Sequence, residues 1–171
     1  MINYDLTKIR AMAFDVDGVL ASPLIMLIGT EMVRTANTKD GYAMQLAVKC
    51  GYQMAIITGG KGDPLVQRYK TLGFQDVYTQ CGIKTETLDA WMKKYDLKPE
   101  EVLYMGDDIP DYEAMQRVGC SCCPADAAPE IREIATYVSH LEGGKGCARD
   151  VIEQVLRAGG HWMQGAKAFG W

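Results

Sequence analysis

An α/β fold built on a doubly wound parallel sheet is the architecture this sequence predicts, and three observations predict it. Short apolar runs alternate with segments of helical periodicity along most of the chain. Three of those runs end in polar clusters, Asp15-Val16-Asp17-Gly18, Thr58-Gly59-Gly60 and Gly106-Asp107-Asp108, as strands do when a ligand site lies beyond their carboxyl ends. The first run, Ile9 to Phe14, is apolar apart from Arg10, which suits a strand covered on both faces.

Taken in order, that strand is followed by a hairpin over Leu24 to Ala36, with arms Leu24–Ile28 and Glu31–Ala36 and a turn at Gly29-Thr30. Its first arm is apolar on both faces, which in a monomer would leave a sticky edge, so the hairpin is expected to pack against something, another subunit being one candidate. Tyr42 to Cys50 carries apolar residues at helical spacing and stops at Gly51. A strand Gln53–Ile57 runs into the Thr58 cluster, and Asp63-Pro64 opens a helix to Leu72, closed by Gly73. Then come a strand Asp76–Thr79, a helix Lys84–Tyr95 and a strand Glu101–Met105. A helix Asp111–Val118, with Asp111 read as its N-cap, leads to a strand Cys120–Cys123, a helix Pro129–Ala135 and a strand Tyr137–Ser139. Gly143-Gly144-Lys145-Gly146 opens a last helix, Cys147–Ala158, and reads either as a flexible connector or as part of a site. Residues 1–158 are thus expected to form one domain and 159–171 a tail, whose Trp162, Phe169 and Trp171 suggest docking on its own or a neighbouring subunit.

Composition narrows the function classes. A chain of 171 residues with 48% hydrophobic residues can bury a substantial core, and a net charge of −4 without a basic stripe disfavours nucleic acid as a partner. Met1 to Arg10 has no long apolar segment, so no membrane is expected and the compartment is read as cytoplasmic. The six cysteines include one C-x-x-C spacing, Cys120 to Cys123, with no second pair to complete a zinc site; they read as free core thiols.

The chemistry follows from convergence. Carboxyl ends of parallel strands point one way, so Asp15, Asp17, Asp107, Asp108 and Asp111 meet the Thr58 loop in one crevice. Carboxylates crowded like that repel one another or hold a cation. An all-oxygen set suits Mg²⁺, which keeps waters and takes a substrate phosphate oxygen. The Thr58 hydroxyl and the unobstructed backbone N–H groups of Gly59 and Gly60 suit phosphate oxygens, and Lys84 at a helix start supplies a point charge to a transferring group. These parts suffice for a phosphatase.

Asp15-Val16-Asp17-Gly18-Val19, Ile57-Thr58-Gly59, Lys84 and Gly106-Asp107-Asp108-x-x-Asp111 resemble, in order, the four motifs of the haloacid dehalogenase-like phosphatases, with a Rossmann-like sheet. The resemblance implies that Asp15 is the nucleophile and Asp17 the general acid/base, that Thr58 and Lys84 hold the phosphoryl group, and that Mg²⁺ lies on Asp15, Asp107 and the Asp17 carbonyl with Asp108 in support. No insertion large enough for a cap domain is present. The hairpin, Asn37-Thr38-Lys39-Asp40-Gly41 and the late glycine loop make the chain similar, over roughly 9–156, to the capless tetrameric 3-deoxy-D-manno-octulosonate 8-phosphate phosphatases of lipopolysaccharide precursor synthesis. That resemblance implies a homotetramer built through the hairpins and a sugar-acid phosphate as substrate. It also implies substrate contacts at Asp17, Asn37, Thr38, Lys39, Asp40, Gly41, Gly59, Gly60, Arg68, Lys84 and Lys145. Gln45 and Gly60 stand where arginines are expected, with Lys61 able to replace one charge, so a nine-carbon 2-keto-3-deoxy sugar phosphate stays open as the substrate. A non-catalytic phospho-ligand module of the same fold is the reading from another class, and it predicts loss of Asp17 or Lys84. Arg149 reads either as a surface charge or as a ligand for a substrate carboxylate.

Overall fold

A computed structural model describes residues 1–170. Six parallel strands form one sheet: β1 (Ala11–Phe14), β4 (Gln53–Ile57), β5 (Asp76–Tyr78), β6 (Val102–Met105), β7 (Cys120–Cys123) and β8 (Tyr137–Val138). A separate antiparallel pair, β2 (Met26–Ile28) and β3 (Glu31–Val33), makes the hairpin. The six-stranded order is β5-β4-β1-β6-β7-β8. From β1 the chain winds outward through β4 and β5 on one side, then returns to β6 and winds outward through β7 and β8 on the other. The order reverses at β1, and in such sheets the crevice at the reversal takes the ligand. Register places Ala11 against both Gln53 and Val102, and Phe14 against Ile56 and Met105, so the three central strands end level with one another.

Alternation along β1 sends side chains to two separate cores. Met12 and Phe14 face the larger one, with α1 (Thr38–Lys49), α2 (Asp63–Thr71) and α6 (Cys147–Ala158); Ala11 and Ala13 face the other, with α3 (Lys84–Lys94), α4 (Tyr112–Gln116) and α5 (Pro129–Ile134). The small alanines leave room for Trp91 and Tyr104, both fully enclosed. Three helices on each face explain why β1 and β6 are buried at every position, as a doubly covered parallel sheet requires. Along α6 the buried residues Cys147, Ala148, Val151, Ile152, Val155 and Leu156 recur at helical spacing, and this stripe is what packs on α1.

The start of α1 and the role of Asp111 differ from the sequence expectation for local reasons. α1 starts at Thr38 because Asn37 is a true N-cap, its side-chain oxygen accepting the Lys39 N–H at 2.9 Å. Gly41 lies inside this first turn, and a Cβ there would sit 2.5 Å from the Arg68 guanidinium, which rests over it. Asp111 makes no capping bond to α4; its carboxylate turns inward.

β2 pairs with β3 through Met26 with Val33, Leu27 with Met32 and Ile28 with Glu31, around a turn in which Gly29 has φ of 60°. The hairpin's apolar side chains are left outside: Leu24 is 82% and Leu27 71% exposed. Past α6 the chain folds back. Trp162 is buried, edge-on to Tyr42 at 5.9 Å and beneath the Arg149 and Arg157 guanidiniums at 5.0 and 5.7 Å. Lys49 Nζ donates to the Gly170 carbonyl at 3.0 Å, and Lys167 Nζ to that of Lys49 at 2.9 Å. Of the tail's aromatic residues Trp171 lies outside the described residues, while Phe169 is exposed. All six cysteines are free; Cys120, Cys122, Cys123 and Cys147 are buried.

Candidate active site

The level ends of β1, β4 and β6 bring the polar clusters together. Asp15 follows β1 directly and is 7% exposed; Thr58 follows β4 and Asp107 follows Gly106 at the end of β6. Lys84, first residue of α3, is 6% exposed and reaches in from the side, its Nζ 2.9 Å from Asp15 Oδ2 and 2.7 Å from Asp111 Oδ1. Tyr104, inside β6, donates its hydroxyl to the same Asp111 oxygen at 2.6 Å, and the Asp107 N–H reaches the other at 3.3 Å. Asp111 thus anchors the lysine and the Asp107 backbone at once. Gly106 makes this possible, since a Cβ there would fall on the Asp111 side chain.

Electrostatics show what this cluster lacks. Burial, then the charges of Asp15 and Asp111, push the Asp107 carboxyl up to about 8. Burial and Asp111, only partly opposed by Lys84, push Asp15 up to about 6. Burial alone would lower Lys84, but Asp15 and Asp111 more than offset it and raise it, so it stays a cation. Burial and Asp111 drive Tyr104 far above its ordinary value and keep it a donor. Asp15 Oδ1 and Asp107 Oδ1 are buried without a hydrogen-bond partner, and oxygens of Asp15, Asp107 and Asp111 lie within 4.8 Å of one another. Unpartnered buried carboxylate oxygens in such a group are costly unless a cation completes them, and the all-oxygen set fits Mg²⁺. Asp108, expected to support the metal, is exposed, and the carboxylate enclosed beside the cluster is Asp111.

Around this centre the loops are tightly built. The chain turns back after Asp17 with Gly18 N–H on the Ala21 carbonyl, at a Gly18 φ of 87°; a Cβ there would collide with the Asp107 carboxylate. Thr58 Oγ1 accepts the Gly60 N–H at 3.1 Å, which leaves its own O–H to donate. The place a Gly60 Cβ would take lies 3.4 Å from both Thr58 Oγ1 and Asp17 Oδ2, so Thr58, Gly60 and Asp17 meet. The late glycine loop is not a flexible connector. Gly143 N–H donates to Asp126 at 2.8 Å and Gly144 N–H to the Val19 carbonyl at 2.8 Å, and a Gly143 Cβ would strike the Gly18 carbonyl, so the loop braces the turn after Asp17.

Several residues expected at the substrate lie in the scaffold. Both ends of the Asn37 amide are engaged, by the Lys39 N–H and by the Gly144 carbonyl at 3.2 Å. Asp40 has no exposed surface and accepts the Arg149 N–H at 2.8 Å, serving the start of α6, whose own N-cap, Gly146, has no side chain. Gly41 is buried under Arg68, while Thr38, Lys39, Gly59 and Lys145 are exposed. Arg149 lies over the Tyr42 and Trp162 rings, at 5.7 and 5.0 Å from their centres. Arg68 does reach a cleft of about 900 Å³ between the hairpin and α2, shared with Lys61, Tyr69, Gln80 and Arg34. Arg34 is the only basic residue of the hairpin, the one sequence signal that marks it. Its Nε and Nη2 lie 2.6 and 2.9 Å from the two oxygens of Asp17.

Residues 69–149 match the model of the haloacid dehalogenase-like hydrolases. The chain is 37% identical over 154 residues to the 3-deoxy-D-manno-octulosonate 8-phosphate phosphatase of Salmonella typhi, covering 90% of this chain and 82% of that protein. It superposes on the Yersinia pestis phosphatase of the same name with a TM-score of 0.87 at 34% identity, over 90% of this chain and 84% of that one. The Moraxella catarrhalis phosphatase, solved with a magnesium ion, a phosphate ion and a KDO molecule, aligns with a TM-score of 0.87 at 28% identity, over 90% and 89% of the two chains.

Proposed function

The chain belongs to the 3-deoxy-D-manno-octulosonate 8-phosphate phosphatase family of haloacid dehalogenase-like hydrolases, and from that premise we propose that it hydrolyses this sugar-acid phosphate to the free acid and phosphate. It is a phosphoric monoester hydrolase with Mg²⁺ as cofactor. The observation that carries the reading is the Asp15 carboxylate, buried at the switch point, steered by Lys84 at 2.9 Å and with one oxygen unpartnered beside that of Asp107.

Asp15 attacks phosphorus, forming the Asp15 Oδ–P bond as the P–O bond to the sugar breaks, and Asp17 gives its proton to the departing alkoxide. Asp17 then takes a proton from water, which attacks the aspartyl-phosphate; the Oδ–P bond breaks, and phosphate and the Asp15 carboxylate are restored. Lys84 and the free O–H of Thr58 hold the non-bridging oxygens, with the Gly59 and Gly60 N–H groups nearby. Asp15, Asp107 and the Asp17 carbonyl would hold Mg²⁺, which when bound would supply positive charge to the phosphoryl oxygens and the crowded carboxylates.

The exposed apolar hairpin supports a homotetramer in which neighbouring hairpins cover one another. Among the described residues no helix is long and apolar enough to cross a membrane, and six unpaired thiols suit a reducing, cytoplasmic setting. Phosphate release from the eight-carbon acid, its nine-carbon homologue and simple hexose phosphates tests the substrate. A clear preference for the eight-carbon acid is expected, and equal rates on all would defeat the assignment. Sedimentation as a monomer would remove the hairpin assembly.

A further inference from the structure

Arg34 follows β3 and turns back toward the site. Its side chain is only 13% exposed, and it forks onto Asp17, Nε to Oδ1 at 2.6 Å and Nη2 to Oδ2 at 2.9 Å. A third nitrogen, Nη1, reaches the Lys61 carbonyl at 3.4 Å. Nη2 lies 3.1 Å from where a Gly60 side chain would begin, so a guanidinium supplied by the hairpin fills the space that glycine leaves open. The same side chain lines the cleft of about 900 Å³ between the hairpin and α2, together with Lys61 and Arg68.

The fork occupies both oxygens of the residue that must pass a proton to the leaving oxygen and take one from water. A bidentate guanidinium–carboxylate pair gives way cheaply only to another planar anion. A phosphorylated sugar acid brings one, its own carboxylate, at the opposite end from the phosphate. We propose that Arg34 is the specificity-determining residue for the acid group of the substrate, exchanging Asp17 for the substrate carboxylate and so freeing Asp17 only when an acid is bound. This rests on the sugar-acid reading above. One carboxylate replaces another on the same fork, so the guanidinium keeps an anionic partner throughout the exchange. A neutral sugar phosphate has no group to offer, and Asp17 stays clamped. The ligand can shift Arg34 only through this differential contact.

The test compares kcat/KM, with Mg²⁺ present, for 3-deoxy-D-manno-octulosonate 8-phosphate and for p-nitrophenyl phosphate, which carries no carboxylate, in the wild type, Arg34→Met and Arg34→Lys. Arg34→Met is expected to lose about 10- to 100-fold on the sugar acid, the usual effect of removing a charged hydrogen-bonding group, and to keep or raise its rate on p-nitrophenyl phosphate. Arg34→Lys, with charge but no fork, is expected between the wild type and Arg34→Met on the sugar acid. If Arg34→Met melts earlier than the wild type, the ratio in Arg34→Lys decides. Equal losses on both substrates would make Arg34 a scaffold or phosphate contact and overturn the proposal. A wild type that prefers the sugar acid, with variants that keep the same preference, overturns the proposal alone. A wild type without that preference overturns the substrate reading and the proposal together.

Discussion

Replacing Asp111 by Asn tests whether the enclosed carboxylate positions the lysine of the site. In the wild type the Asp111 side chain is 1% exposed and that of Lys84 5%, with 2.7 Å between them. Breaking a buried ion pair by removing one partner costs about 3–5 kcal/mol. Two features reduce that figure. Lys84 keeps Asp15 at 2.9 Å, and removing one negative charge relieves Asp15 and Asp107, both of which Asp111 pushes up. A loss of about 2–3 kcal/mol is therefore expected, which for a domain of this size lowers Tm by about 5–10 °C. Turnover is expected to fall on the order of 10- to 100-fold as Lys84 loses its second anchor, the scale of a misplaced catalytic group. Tyr104→Phe is the control: it removes only the hydroxyl at 2.6 Å from Asp111, worth about 1 kcal/mol. Thermal melting and phosphate release, measured on both variants, are the assays. An Asp111→Asn enzyme with the Tm and turnover of the wild type would refute the anchoring argument.

Two further outcomes follow from the same geometry. Gly18→Ala is expected to cost about 1–2 kcal/mol through its left-handed backbone alone and, by pushing the Asp107 carboxylate aside, to raise the Mg²⁺ concentration needed for half-maximal activity at least about 10-fold; an unchanged Mg²⁺ requirement would contradict the close approach. Metal-free stability should fall as pH rises from about 4 to about 8, because carboxyls raised to about 6 and about 8 hold more protons in the folded chain than in the unfolded one. Mg²⁺ must displace those protons, so the rise in Tm that it causes should grow between pH 5 and pH 8, and a rise independent of pH would count against the carboxylate cluster as its site.

The parallel sheet was legible because each of its strands is a short apolar run bounded by glycine or carboxylates, and the meeting of Asp15, Thr58 and Asp107 followed from the common direction of parallel strands. Where reading failed, the cause was a contact between residues distant in the chain. Asp111 looked like a cap for the helix beside it, but Lys84 and Tyr104 draw it inward. Asn37 and Asp40 looked like ligands; the glycine loop and α6, more than a hundred positions later, claim them instead. Arg34 gave one available signal, a lone cation in an apolar hairpin, and only the fold shows that the hairpin bends back over Asp17.

The covalent role of Asp15 is tested most directly by phosphate release from 3-deoxy-D-manno-octulosonate 8-phosphate by Asp15→Asn beside the wild type. An amide at that position keeps the shape of the side chain but removes the nucleophile, so turnover is expected to fall by at least about 1,000-fold, the range seen when a catalytic nucleophile is lost, while the protein still melts cooperatively. An Asp15→Asn enzyme that retains a tenth or more of wild-type turnover would contradict the aspartyl-phosphate mechanism.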